Sequence, residues 1–329
     1  MTTPEVSVVL PVRNARRWIG DTLASVLAQT LDPAALEVIV VDDGSTDDTT
    51  EAARAILEAA GVVHLFLATA GGAGPSAARN LGWTRGRGAW VQFLDGDDLV
   101  EPAKLAHQLD VARRSGDDVA VVFSAWGELV EVGDAWRPGA RPVRPVVGAD
   151  PLRDLLGDDN FIATGSQLFR RTWLERVGGF DERLRLVEDV DLMLRIAVRG
   201  GRFVDAASPT PLFWYRRHAA STSRQSRLQF VNARARNLRL VEDHWRTERA
   251  LTPERVAFLT AAYFALARTL ADEDADAFDA MTRHIATLDP SLLPPGPPAL
   301  RALSRVCGYR RAERLTRRCR RWLRRAARR

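Results

Sequence analysis

The sequence predicts an α/β protein: a mostly parallel, doubly wound sheet of about the first 227 residues, followed by an α-helical C-terminal region. Two observations carry this. Short apolar runs alternate with segments of helical spacing up to about residue 125, and strand signals stop after about Leu228. A third fits with them: 46% hydrophobic and 27% charged residues are enough for a sizeable core. Val6–Leu10 is a buried strand ended by Pro11. Trp18 to Gln29 has helical spacing, and Val38–Val41 is a second strand, broken at Asp42. Ser45, with Asp48 three residues on, reads as the cap of a helix running to about Ala60. Val62–Leu67, Ala89–Leu94 and Val119–Phe123 are further strands, separated by helices at Ser76–Thr84 and Pro102–Ser115. Gly133–Pro151, rich in Pro, Gly and Arg, reads as a loop. Leu168–Phe169, Thr172–Val177, Val190–Val198, Phe203–Val204 and Leu212–Tyr215 continue the α/β unit. Asn232–Trp245, Pro253–Leu270 and Ala275–Leu288 are helical by pattern, and Leu292–Pro298 reads as a hinge. The expected division is 1–227, 228–298 and 299–329.

Charge is unevenly spread. Arg301 to Arg329 holds 13 arginines against Glu313, a net +12, so the other 300 residues carry −7 although the whole chain is +5. Two cysteines, Cys307 and Cys319, exclude a disulfide scaffold and a zinc cluster. No run reaches the roughly 18–20 apolar residues of a bilayer span; the longest uncharged, largely apolar stretch, Val256 to Ala267, reads as a buried helix. Met1 to Val12 lacks a basic lead-in, so a signal peptide is not expected and a cytoplasmic location is.

Ligands of open α/β sheets sit at the carboxyl ends of strands. The first strand is followed by Pro11-Val12-Arg13-Asn14, without the glycine fingerprint of a dinucleotide site. The second ends in Asp42-Asp43-Gly44-Ser45 and the fourth in Asp95-Gly96-Asp97-Asp98. One acidic cluster is ordinarily a solvated turn; two at equivalent strand ends converge on one crevice and repel unless a cation compensates. Asp95-Gly96-Asp97 has the spacing to hold Mn²⁺ or Mg²⁺ shared with phosphates, with Gly96 allowing close backbone approach. The turn Gly71–Gly74 followed by Arg79 and Asn80 adds phosphate-facing chemistry without being a P-loop. Glu188-Asp189 opens a helix, where carboxylates favour the positive end and also sit at the mouth of a site. Asp191 is expected to pair with Arg195 one turn on.

Ser7–Pro11 with Asn14, Asp42-Asp43-Gly44-Ser45, Ala77-Ala78-Arg79-Asn80 and Phe93–Asp98 together resemble family 2 glycosyltransferases of the GT-A fold. The resemblance continues through Gly178-Gly179-Phe180-Asp181-Glu182, Glu188-Asp189-Val190-Asp191 and Arg217-His218-Ala219-Ala220-Ser221, over about two-thirds of the chain. It implies inverting, hexosyltransferase-type transfer from a nucleotide-diphosphate-sugar with a divalent metal. It also implies donor contacts from Pro11, Val12, Arg13, Asn14, Arg79, Asp95 and Gly96, and a nucleobase-contacting acid at Asp42 or Asp43. Metal ligation by Asp95 and Asp97 follows from it, as does a base in the Glu188-Asp189 pair, with Asp189 favoured and Glu188 as acceptor binder or alternative. A lone His is ordinarily a surface or packing residue, but the resemblance implies that His218 completes the metal shell or touches the diphosphate and that Arg217 neutralises phosphate charge. Two positions depart from the family pattern: Arg13 stands where an aromatic residue is frequent, and Thr69-Ala70 where an Asn is. A UDP-sugar is the favoured donor, with GDP or dTDP as alternatives. The acceptor is a saccharide or lipid-linked saccharide of polysaccharide, glycolipid or cell-envelope synthesis. Trp126, Trp136 and Trp214 are candidates to stack on a sugar, although core packing is the ordinary fate of a Trp. The alternatives are a nucleotidyltransferase, which lacks its glycine-rich signature here, and an inactive nucleotide-sugar-binding or nucleic-acid-binding protein.

In a helical projection Leu315, Cys319, Trp322, Leu323 and Ala326 share one face and arginines occupy the rest. This is the pattern of an interfacial helix on an anionic membrane surface, which predicts a protein peripheral on the inner face of the cell membrane; the alternative is a frayed, solvated tail. The acidic body and the lack of a recognition module speak against nucleic acid.

Overall fold

The computed structural model describes residues 3–133, 135–157, 160–218, 227–290 and 293–326, the side chains of 317–318 and 320–326 aside. Two compact units follow along the chain, Met1–Ser223 and Arg224–Arg329.

The first unit contains strands β1 (Val6–Val12), β2 (Leu36–Asp42), β3 (Val63–Ala68), β4 (Trp90–Phe93), β5 (Leu99–Val100), β6 (Val119–Phe123), β7 (Trp126–Val132), β8 (Ala135–Pro138), β9 (Gln167–Arg170), β10 (Arg202–Asp205) and β11 (Phe213–Arg217). Its helices are α1 (Ile19–Leu27), α2 (Thr49–Ala60), α3 (Pro75–Arg85), α4 (Lys104–Ser115), α5 (Pro151–Leu156), α6 (Arg171–Val177) and α7 (Glu188–Val198). Seven strands form the main sheet in the order β10-β6-β9-β4-β1-β2-β3, parallel except for β9. Central strands buried on both faces read as unbroken apolar runs, and Val8, Val9, Val38, Val40, Val91 and Val121 are fully buried. The edge strand β3 is half-exposed, with Val63 and Leu65 facing solvent.

A second sheet, β5-β11-β7-β8, lies outside the sequence expectation. Part of it, β8, falls in the stretch 133–151 read as a loop, and β5 has two residues, too short for a periodic signal. The sheet delivers Arg216, Arg217 and His218 beside the turn that follows β4, because β11 pairs with β5. The expected helix start at Ser45 is also corrected. Helix α2 begins at Thr49, and the Ser45 hydroxyl accepts from the Asn14 amide at 3.0 Å, tying the loops after β1 and β2 together.

The second unit consists of α8 (Arg227–Thr247), α9 (Pro253–Glu273), α10 (Ala275–Leu288), α11 (Pro298–Cys307) and α12 (Tyr309–Ala326). Thr252 caps α9 and Asp274 caps α10, each through its side chain. Trp245, Leu259, Phe264, Phe278 and Ile285 form its interior. A carboxylate sits among them: Glu242 of α8 accepts from Tyr263 of α9 at 2.9 Å, His284 of α10 at 2.8 Å and Arg246 at 2.8 Å. Burial opposes the charge, but bonds from His284, Arg246 and Tyr263 hold the carboxyl down at about 2. Asp279 of α10 binds both Arg310 and Arg314 of α12, and Ala312 is fully buried. The first turns of α12 are therefore docked, while the predicted face residues Trp322, Leu323 and Ala326 have side chains outside the described set. So do Ala219, Ala220 and Ser221 of the last resemblance motif, and Leu292 of the expected hinge.

Glu242→Ala leaves the buried Tyr263 hydroxyl without its acceptor and unpairs the half-buried His284 and the exposed Arg246. It is expected to destabilise this helical unit by about 1–3 kcal/mol, read from urea titrations. Because the folded carboxyl lies below its ordinary value, the Glu242 contribution is full above the ordinary range and fades as pH falls towards about 2. The gap between variant and wild type should narrow in that direction.

Candidate active site

The site is assembled from loops at the carboxyl ends of β1, β2 and β4, the start of α3 and α7, and the end of β11. Asn14 takes a left-handed backbone (φ 52°), and its side-chain oxygen accepts from the Thr46 amide at 2.8 Å. Val12 is buried in the core and contributes its carbonyl, which accepts from the Asp43 amide at 2.9 Å; Pro11 is half-buried and Arg13 exposed. Asp43 is buried and accepts from the Thr69 hydroxyl at 2.6 Å and from the amides of Ala73 and Gly74 at 2.9 and 3.0 Å. It shapes the glycine turn, with Arg13 at 4.0 Å from its carboxylate. Asp42 accepts from the Ser45 amide at 3.0 Å.

Arg79 stands at the centre. It is 4% exposed and donates to Asp95 at 2.8 Å and to Glu188 at 2.9 Å. Phe180 lies against the guanidinium at 5.3 Å, and Asn80 fastens Phe180 through both its amide N–H and its carbonyl at 2.9 Å. Thus Ala77–Asn80 and Gly178–Glu182, distant in sequence, meet in one cradle. Burial works against the guanidinium charge, but Asp95 and Glu188 outweigh it and keep Arg79 firmly protonated.

The acids that Arg79 does not neutralise behave differently. Asp98 is 1% exposed and accepts from the Arg216 amide at 2.8 Å; burial, then the charges of Asp97 and Asp95, push its carboxyl well above the usual range. Asp97 accepts from His218 Nε2 at 2.9 Å, and the imidazole stacks on Trp18 with centroids 4.2 Å apart. A Cβ at Gly96 would meet Val12 at 2.9 Å, which accounts for glycine between the two acids. Asp189 is half-buried, and burial followed by the neighbouring Glu188 charge pushes its carboxyl up to about 7. The Thr164 hydroxyl lies 3.5 Å from one of its oxygens. Val187, just before this pair, has φ 62°, a left-handed backbone that costs a β-branched residue about 1–3 kcal/mol. The expected Asp191–Arg195 pair is present at 2.7 Å.

Asp97 and His218 are brought together, whereas Asp95 is turned to Arg79, and among the described residues no three metal-ligating side chains converge. Arg217 is exposed and reaches Glu128 at 3.5 Å. The neighbouring Arg216 is the buried one, donating to Asp21 at 2.7 Å. Sequence reading missed Arg216, Asp98, Trp18 and Thr164. The alternation of β11 was the available signal for Arg216; none marked Thr164. The carboxylate of Asp97 and the imidazole of His218, 2.9 Å apart, are donors of a kind that Mn²⁺ accepts.

Arg79→Met removes a positive charge that lowers the Asp189 carboxyl. Its titration midpoint is expected to move above about 7, followed by carboxyl-carbon NMR, with a stability loss of about 3–5 kcal/mol for two orphaned acids.

Comparison with known proteins supports the assignment of these loops to one family. The family model described as glycosyl transferase family 2 matches residues 7–178, more than half of the chain. A succinoglycan biosynthesis protein, ExoO of Rhizobium meliloti, is 31% identical over 235 residues, which are 70% of this chain and 66% of that protein, just under two thirds of its length. Among solved structures, S. aureus TarS 1-349 in complex with UDP-GlcNAc is similar with a TM-score of 0.58 and 17% identity, covering 95% of this chain and 92% of that one. The mannosyltransferase PcManGT from Pyrobaculum calidifontis, in complex with GDP-Man and Mn²⁺, gives 0.51 at 20% identity, over 96% and 87%. The last two establish the GT-A fold of the sheet. With the match across residues 7–178, the chain belongs to glycosyl transferase family 2.

Proposed function

We propose that this chain is an inverting, metal-dependent glycosyltransferase that moves a sugar from a nucleotide-diphosphate-sugar to a hydroxyl acceptor in polysaccharide, glycolipid or envelope glycoconjugate synthesis. The observation that carries this is geometric: the Glu188-Asp189 pair opens α7 with Glu188 in an ion pair with the buried Arg79, which also holds Asp95 after β4, and Asp189 beside it has its carboxyl raised to about 7. A base for an acceptor hydroxyl works best when its pKa lies near the working pH. Asp189 takes the hydroxyl proton on its carboxylate as the acceptor oxygen attacks, and Glu188 orients the acceptor. The donor lies along Pro11–Asn14, Asp42-Asp43, Arg79 and Gly96, with Arg217 at the phosphate end. Asp97 and His218 would hold the cation, with Asp95 as a further ligand on release from Arg79, and Mn²⁺ or Mg²⁺ bound there would neutralise the diphosphate leaving group. The UDP-GlcNAc of TarS and the GDP-Man and Mn²⁺ of PcManGT support a nucleotide-sugar and a divalent ion. A UDP-sugar remains the favoured donor. ExoO, a protein of succinoglycan synthesis, supports a polysaccharide acceptor.

We also assign the last residues to an anionic membrane surface. No described helix is long and apolar enough to cross a membrane. Eight arginines follow Thr316, each contributing about 1 kcal/mol near anionic lipid.

Asp189→Asn is expected to lower transfer by about 10²–10⁴-fold while donor binding persists. Wild-type kcat should fall as pH drops below about 7, since the base must be ionised. Normal transfer by this variant together with inactive Glu188→Gln would make Glu188 the base. Stability follows the opposite sign. A raised folded carboxyl stabilises the protein fully below its ordinary pKa, and that contribution is lost as pH rises towards about 7. Asp189→Asn should therefore gain on wild type across that window in thermal melts.

Asp97→Ala should abolish metal-dependent transfer with the fold intact by circular dichroism. Full transfer by the wild type in chelator would refute the metal. Co-sedimentation with anionic vesicles should be lost when the eight terminal arginines become glutamine. Equal binding by that variant, or equal binding to neutral vesicles, would remove the electrostatic attachment.

A further inference from the structure

Lys104 is the only lysine of the chain, and it is fully buried at the start of α4. An amine in that position ordinarily has a carboxylate. Here both hydrogen-bond partners found among the described residues are amide carbonyls, those of Gln92 on β4 and of Gln108 one turn on, the latter at 2.7 Å. Burial pushes the amine well below its ordinary value. Two of its N–H donors go to those two carbonyls.

What those bonds accomplish is seen one step further out. With their oxygens held by Lys104, the glutamine NH₂ groups face the link between β6 and β9. Gln92 donates to Gly165 O at 3.1 Å and to Phe93 O. Gln108 donates to Ser166 O at 2.9 Å and to Val122 O at 3.1 Å. The turn Thr164–Ser166 is thereby fastened to β4, the strand that leads into Asp95. It is clamped from the other side too, since a Cβ on Gly165 would overlap the Phe213 ring. Thr164, the first residue of that turn, carries the hydroxyl 3.5 Å from Asp189.

For packing alone, an apolar chain of the same length would serve and would avoid burying an amine. The amine adds direction: it fixes which end of each glutamine amide faces the turn. We infer that Lys104, with Gln92 and Gln108, is a positioning network that sets the Thr164 turn against Asp189 and registers it to the strand bearing Asp95. The inference deepens the assignment of Asp189 as base, and its test is separable from that assignment.

The experiment compares wild type with Lys104→Met and with Gln108→Met, the second removing one link if the first does not fold. Asp189 is followed by carboxyl-carbon NMR across pH, and kcat and donor KM are measured on the folded fraction. Expected are a shift of the Asp189 midpoint in either variant and a fall in kcat of about ten- to hundredfold, with donor KM within about twofold. A lowered melting temperature with an unchanged Asp189 titration would overturn the inference and leave Lys104 as a core residue. The NMR arm needs no turnover. A shifted midpoint in a protein that transfers no sugar supports the positioning network while removing the role of Asp189 as base.

Discussion

The site depends on where one buried guanidinium spends its charge. Five carboxylates, Asp95, Asp97, Asp98, Glu188 and Asp189, are carried by the turn after β4 and the start of α7. Two like charges about 4 Å apart at an effective dielectric of 20 repel by about 4 kcal/mol, so such a group needs compensation. Arg79 pairs directly with Asp95 and Glu188, and its charge also draws the Asp189 carboxyl down. Of the acids without that direct contact, Asp98 and Asp189 have carboxyls raised first by burial and then by the neighbouring carboxylates. One ion pair therefore differentiates neighbours of identical chemistry. Glu188 is held in an ion pair with Arg79, and Asp189 is poised to exchange a proton near neutrality.

That arrangement is held by packing more than by charge. Phe180 backs the guanidinium, Asn80 fixes Phe180 by two hydrogen bonds, and Gly179 leaves no room for a side chain beside Asn80 and Trp83. On the other side Asp98 is stitched to β11 by the Arg216 amide, which brings His218 onto Asp97 with Trp18 beneath. The small second sheet thus has a role the main sheet cannot fill. The parallel strands present their carboxyl ends in one row, and β11 comes in from the side to cover the acids after β4.

What the sequence revealed follows from burial. Strands covered on both faces appear as apolar runs, so β1, β2, β4 and β6 were legible within a residue or two. The second sheet was not, because β5 has two residues and β8 is largely exposed. The acidic clusters stood out because carboxylates at strand ends are conspicuous. Their division of labour did not, since it arises from Arg79 contacts 16 and 109 residues away. Arg217 and Arg216 show the same limit. Adjacent arginines are equivalent in composition, but strand alternation buries Arg216 and sends Arg217 to Glu128. Asp43, expected near the nucleobase, also accepts from Thr69, Ala73 and Gly74, an additional turn-forming role that only the folded loop discloses.

The arginine-rich end has to be divided in the same manner. Its net +12 counts every arginine after Leu300 alike, yet the fold assigns some of them internal work. Arg310 and Arg314 both close on Asp279, a buried acid of the neighbouring helix α10. Leu300 and Ala312 are buried alongside, so α11 and the first turns of α12 are part of a folded unit. The positive charge available to a partner is therefore concentrated beyond Thr316, where eight arginines fall within 13 residues. Asp279 therefore neutralises part of the basic charge of this unit, and a sum taken over the sequence counts arginines that the fold already uses against that acid.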